Sequence, residues 1–135
     1  MSVDTLTDVI AGTPDLTTLA SLLRLSGLDG VLHGPGHYTL FAPTDEAFTR
    51  LRSGVLSALH ADLPRLRDLL SDHIVPGVFV AADLMDMLAV TALSGARLTL
   101  TSTHGLRVEQ SYLTQADQIT SNGVLHRIDA VLLLR

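Results

Sequence analysis

With 135 residues the chain has the length of one domain, 1–135, and enough apolar material to bury a sizeable core. Its formal charge is −5, and the dispersed Arg50, Arg52, Arg65 and Arg67 form no basic stripe to neutralise phosphates, which excludes a nucleic-acid partner. The absence of cysteine excludes disulfides, thiol catalysis and cysteine-ligated metals; the low charged fraction of 17% leaves either a surface that adheres to something or a plain Leu/Ala/Thr-rich composition.

The first ten residues carry Asp4 and Asp8 and lack a basic start, so they do not form a signal peptide. The apolar run Ala130–Leu134 is too short to cross a bilayer. The chain is therefore expected in the cytoplasm if complete as written, or outside it if a leader is missing. Val3–Ala11 suggests a short helix, and Thr13-Pro14 starts another, because proline is tolerated in a first turn. Leu16, Leu19, Ala20, Leu22 and Leu23 keep helical spacing until Gly27 stops it. A short apolar segment (Leu28, Val31, Leu32) and a loop, His33–His37, follow.

Tyr38–Phe48, YTLFAPTDEAF, is a strand converted into a helix. Tyr38, Thr39, Leu40 and Phe41 have strand bias, and Pro43 ends the pairing because it has no amide hydrogen. Thr44 caps a helix that carries Asp45 and Glu46 in its first turn and Ala47, Phe48 and Leu51 as an apolar stripe. Leu51–Leu59 and Leu63–Leu70 are leucine-rich helices, the second capped by Asp62. His73–Val75 is a strand turned by Pro76-Gly77 and continued by Val78–Val80, and Asp83–Leu88 is a short helix. Val90–Leu93, Ala96–Thr101 and Leu106–Gln110 are strands, with His104-Gly105 as a hairpin tip. Tyr112–Thr120 is a less regular link. Val124–Leu134 has apolar residues at both parities, as in a strand covered on both faces. Helices in the first half and strands in the second make the class α+β.

YTLFAPTDEAF, LRDLLSDHIVP (Leu66–Pro76) and NGVLHRIDAVL (Asn122–Leu132) together resemble the three signature segments of the fasciclin I-type domain, in that order. The resemblance implies a wedge-shaped β-sandwich of two sheets with helices packed on its sides. It assigns structural roles to Thr39, Phe41, Ala42, Pro43, Thr44, Ala47, Phe48, Asn122, Gly123, His126, Ile128 and Asp129. It also implies two contact patches, since the middle segment around the histidine and an Asp-Ile pair near the Asn-Gly turn serve receptor binding in animal members. Here these map to Asp72, His73 and Ile74, with Asp72 in place of the usual tyrosine or asparagine, and to Asp117 and Ile119, separated by Gln118.

Read from the residues alone, His73 and His126 are core histidines whose ring nitrogens need partners, and Asp117 is a turn former. Gly123 is expected to supply positive φ for that turn, and Arg127 to pair with Asp129. Met85 and Met87, with Leu84 and Leu88, are either core or an exposed ligand-lining patch. His33 and His37 are loop histidines without metal-ligand spacing, and no nucleophile elbow is present. No cofactor, metal or catalysis is expected. The functional expectation is a non-catalytic cell-adhesion or protein-interaction module that meets a cell-surface or matrix protein, with weak oligomerisation or membrane attachment only indirect. The alternative is a carrier of a small apolar ligand in a groove between helices and sheet.

Overall fold

A computed structural model describes residues 4–34 and 36–133. Val3, Pro35 and Leu134, assigned above to a helix, a loop and a strand, lie outside the described residues. Helix α1 (Leu6–Ala11) is started by a capping box in which the Thr5 hydroxyl accepts from the Asp8 amide while the Asp8 carboxylate accepts from the Thr5 amide. A 3₁₀ turn, Pro14–Leu16, leads into α2 (Thr17–Ser26), which ends at Gly27 in the left-handed region, and α3 (Leu28–His33) follows. After β1 (Tyr38–Pro43), the Thr44 hydroxyl caps α4 (Asp45–Thr49). The Asp45 carboxylate also ties α4 to α2, accepting from the Thr17 hydroxyl at 2.7 Å and the Thr18 amide at 2.8 Å.

Helices α5 (Val55–His60) and α6 (Leu63–Ser71) come next, α6 capped by Asp62 as expected. Helix α5 starts later than the leucine pattern suggested, because Gly54 turns the chain at φ 86°. The remaining elements are β2 (Ile74–Pro76), α7 (Ala81–Met85), β3 (Ala89–Thr91), β4 (Arg97–Thr101), β5 (Arg107–Val108), β6 (Ser111–Thr120) and β7 (Gly123–Ile128). Three of the expected strand and link assignments need correction. Val78–Val80 is not a strand; its backbone is drawn onto the Thr39 side chain, whose hydroxyl donates to the Gly77 carbonyl and accepts from the Phe79 amide. The expected link Tyr112–Thr120 is the longest strand, hidden by its polarity and by register shifts on either side of Gln115. The last strand stops at Ile128, since the chain bends at Asp129-Ala130.

The strands form one mixed sheet in the order β2-β1-β7-β6-β5-β4-β3, which replaces the expected sandwich of two sheets. Among the described residues, β1 and β7 are the one parallel strand pair, and the other strand pairings are antiparallel. The sheet curls until its edges meet, where the Leu93 amide donates to the Ile74 carbonyl at 2.6 Å. Strand alternation then feeds two cores. Leu40, Ala42, Ile74 and Leu125 face the core built by α1–α6, while Phe41, Val75, Val90, Leu98, Leu100 and Ile128 fill the inside of the curl. Burying each large side chain contributes about 1.5–3 kcal/mol.

The two outer signature segments meet in the parallel ladder, Tyr38 opposite Gly123 through Pro43 opposite Ile128. Gly123 is not there for positive φ, as was expected; its backbone lies so close to β1 that an added Cβ would fall inside the Tyr38 carbonyl. Asn122 beside it is buried. Its carboxamide oxygen accepts from the Leu6 amide at 2.9 Å, and its nitrogen donates to the Leu32 carbonyl. Asp129 and Arg127 do not pair: Arg127 reaches Asp15 at 3.3 Å and Gln115 at 2.9 Å, while the Asp129 carboxylate accepts from the Tyr112 amide. Gly123→Ala is expected to cost more than about 3 kcal/mol or to prevent cooperative folding, because backbone has to move. Gly30→Ala, at an exposed α3 position with open space around it, should instead gain about 0.5–1 kcal/mol. Urea titrations followed by circular dichroism read both, and a Gly123→Ala cost within about 1 kcal/mol would contradict the close approach.

Candidate functional site

Strand alternation sends His126 inward beside Phe41, its partner across the parallel ladder, and the rings stack with centroids 5.8 Å apart. The imidazole is fully buried and both nitrogens are used. Nδ1 accepts from the Asp117 amide at 3.1 Å, so Nε2 carries the hydrogen and donates to the Phe79 carbonyl at 2.8 Å. Burial pushes its pKa below the ordinary histidine value; the Phe79 carbonyl and the Asp117 charge oppose that.

The Asp72–Ile74 patch is built the same way. The carbonyl of Leu69 in α6 accepts from Nδ1–H of His73 at 2.9 Å, and Nε2 accepts from the Leu132 amide at 2.9 Å. His73 is 1% exposed, and burial lowers its pKa to about 4 against the Leu69 hydrogen bond and the Asp72 charge. Asp72 is fully buried too and accepts from the Ser94 hydroxyl, and Ile74 belongs to the helical core. A partner meeting the folded domain reaches none of these three side chains.

Asp117 and Ile119 stand differently. Asp117 sits in the irregular stretch of β6 at φ 63°, a region that aspartate tolerates better than most residues. Its carboxylate accepts from the Ala81 amide at 2.7 Å, so it caps α7 from 36 residues away in the sequence. Oδ1 also lies 3.8 Å from Nδ1 of His126, and the Asp117 side chain remains half exposed. Ile119 is 57% exposed and shares a cross-strand row with Val124 and Thr39, next to the segment that carries the exposed Val78. Asp117 and Ile119 are thus exposed on β6, which meets residues 77–81 through the Asp117–Ala81 hydrogen bond, and Val78 is exposed in that segment.

The signature residues Thr39, Phe41, Ala42, Ala47, Phe48, Asn122, Gly123 and Ile128 are all buried, and Pro43 closes β1. The methionine pair splits: Leu84 is core, Met87 packs partly against the curl, and Met85 and Leu88 face solvent. Among the described residues no group of three or more His, Cys, Asp or Glu is placed to hold a metal ion, and no helix is long and apolar enough to cross a membrane. One cleft with a largely apolar lining lies away from the sheet. It opens between α5, α6 and the C-terminal segment around Leu133, three segments whose convergence no local pattern announced.

A family model of the fasciclin domain matches residues 14–134. The chain belongs to the fasciclin domain family. Fasciclin domains are non-catalytic binding modules, and this fasciclin domain is to be read as one. It is 35% identical to protein sll1735 of Synechocystis over 118 residues, covering 87% of this chain and 89% of that protein. It is 32% identical to the transforming growth factor-beta-induced protein ig-h3 of Sus scrofa, covering 86% of this chain but 17% of that protein. The fold matches a FAS1 domain pair from the insect cell adhesion molecule fasciclin I, with a TM-score of 0.82 and 16% identity, over 98% of this chain and 51% of that one.

Both buried histidines of this fasciclin domain stay neutral while the unfolded chain protonates near pH 6.5, so acid favours unfolding. For His73 the stabilisation is complete above pH 6.5 and is lost as pH falls toward 4, an effect of about 3 kcal/mol, and His126 acts in the same direction. Urea midpoints between pH 7.5 and 4.5 should fall accordingly. His73→Gln should cost about 2 kcal/mol at pH 7.5 and flatten the fall below pH 6.5. An equally steep fall in that variant would show that His73 does not titrate as described.

Proposed function

We propose that this fasciclin domain is an interaction module that meets a cell-surface or matrix protein through the patch of Asp117, Ile119 and Val78. The observation that carries the reading is the contrast in exposure between the two candidate patches. Ile119 and the Asp117 carboxylate reach solvent, while Asp72, His73 and Ile74 are sealed inside. An exposed isoleucine beside a carboxylate offers an apolar anchor with a charged neighbour, a combination suited to a small protein contact. The fasciclin fold in an insect cell adhesion molecule supports the same class of function.

A single patch of this size binds weakly, and the module gains strength where many copies are held at one surface. This reading places the domain outside the cytoplasm, displayed on or near a cell. Beads carrying many copies, applied to a panel of cell types, test it. Ile119→Asp and Asp117→Asn should each lower attachment about tenfold while melting as the parent domain does. Asparagine keeps the acceptor for Ala81 and tolerates the left-handed backbone. Leu25→Asp, at an exposed site on α2, should leave attachment unchanged. Equal attachment by Ile119→Asp and the parent would refute the proposed surface.

A further inference from the structure

The cleft beside α5 and α6 has a volume of about 360 Å³, and Val55, Ala58, Leu59, Leu69 and Leu133 form its apolar lining. Its walls are fixed from behind. Leu59 and Leu69 belong to the helical core, and the segment that carries Leu133 is anchored by the Leu132 amide on Nε2 of His73. Arg65 is the charged side chain in the lining. Among the described residues its guanidinium has no ion-pair partner; Asp62 accepts only from the Arg65 backbone amide.

An apolar cleft with one uncommitted guanidinium selects an apolar body with a single anionic head. The fork of N–H donors on arginine matches a carboxylate in particular. At the ~30 Å³ that a water takes in the liquid, the cleft holds on the order of a dozen non-hydrogen atoms. That places it at the small end of small-molecule sites and suits a medium-chain aliphatic carboxylate. We infer that this cleft binds such a carboxylate, with the chain on Val55, Ala58, Leu59, Leu69 and Leu133 and the head on Arg65. The inference is independent of the protein-contact patch on β6, and either can fail without the other.

Decanoate, titrated below its micelle concentration into isotope-labelled protein, tests the site by NMR. Saturable shifts should be confined to residues of α5, α6 and the segment around Leu133. Arg65→Gln should weaken decanoate binding about tenfold, the worth of one charge-assisted contact, and leave decan-1-ol unaffected. Ala58→Trp should fill the cleft and abolish binding of both. If Ala58→Trp does not fold, Arg65→Gln decides alone, since its side chain lies at the surface. Absent or unsaturable shifts, or equal decanoate binding by Arg65→Gln and the parent, would overturn the inference. So would a dimer, seen by light scattering, that Arg65→Gln leaves intact and decanoate does not compete with, because a second copy would then be the occupant.

Discussion

The backbones of Tyr38 and Gly123 approach so closely that no side-chain carbon fits between them, and the rest of the domain is arranged around that contact. It brings together two segments far apart in sequence and sets the parallel register that stacks Phe41 on His126. Asn122, one residue away, then fastens the start of α1 and the end of α3 to the same corner. Buried polar groups of this kind stabilise only when every partner is in place. Correct register at Gly123 is therefore a condition for satisfying Asn122. Because a parallel pair closes a long loop before it gains any contact, this corner is also the costly step in forming the fold.

What could be read from the sequence was what is decided locally. Tyr38–Thr44 announces strand, stop and cap with neighbouring residues, and the structure has each of them. Asp62 and the spacing of Leu66, Leu69 and Leu70 gave α6 its cap and its buried face. The apolar residues at both parities near Val124 and Leu125 reflected a strand with a core on either side. Strand β6 was missed because most of its side chains face water and its register shifts break the alternation, so pairing alone makes it a strand. Gly123 was seen as important for the wrong reason, since a close approach to a distant strand leaves no local mark. The meeting of Leu93 and Ile74, where the edges of the curled sheet join, leaves no local mark either.

The candidate site divides along the same line. Burial of His73 and His126 is legible from their apolar neighbours, but not their partners, because each imidazole joins segments distant in the sequence. The motif around His73 resembles a contact patch by residue type, whereas its geometry is that of an internal anchor. In the Asp117 region the irregular stretch frees a carboxylate from a regular ladder position. The same group can then cap α7 and still present an oxygen to solvent.

The two buried histidines consequently divide the labour of holding the accessible surfaces. His126 receives the Asp117 amide and donates to Phe79, so it fixes both borders of the patch that contains Ile119 and Val78. His73 receives the Leu132 amide and so fixes the wall of the cleft beside Arg65. In each case a neutral imidazole acts as acceptor and donor at once, a combination that no other side chain supplies in a flat ring. Protonation would turn each acceptor nitrogen into a donor facing a backbone N–H, opposing the contact it now makes. The surfaces most suited to binding are thus suspended from the interior groups most sensitive to acid, and recognition and folding share the same two rings.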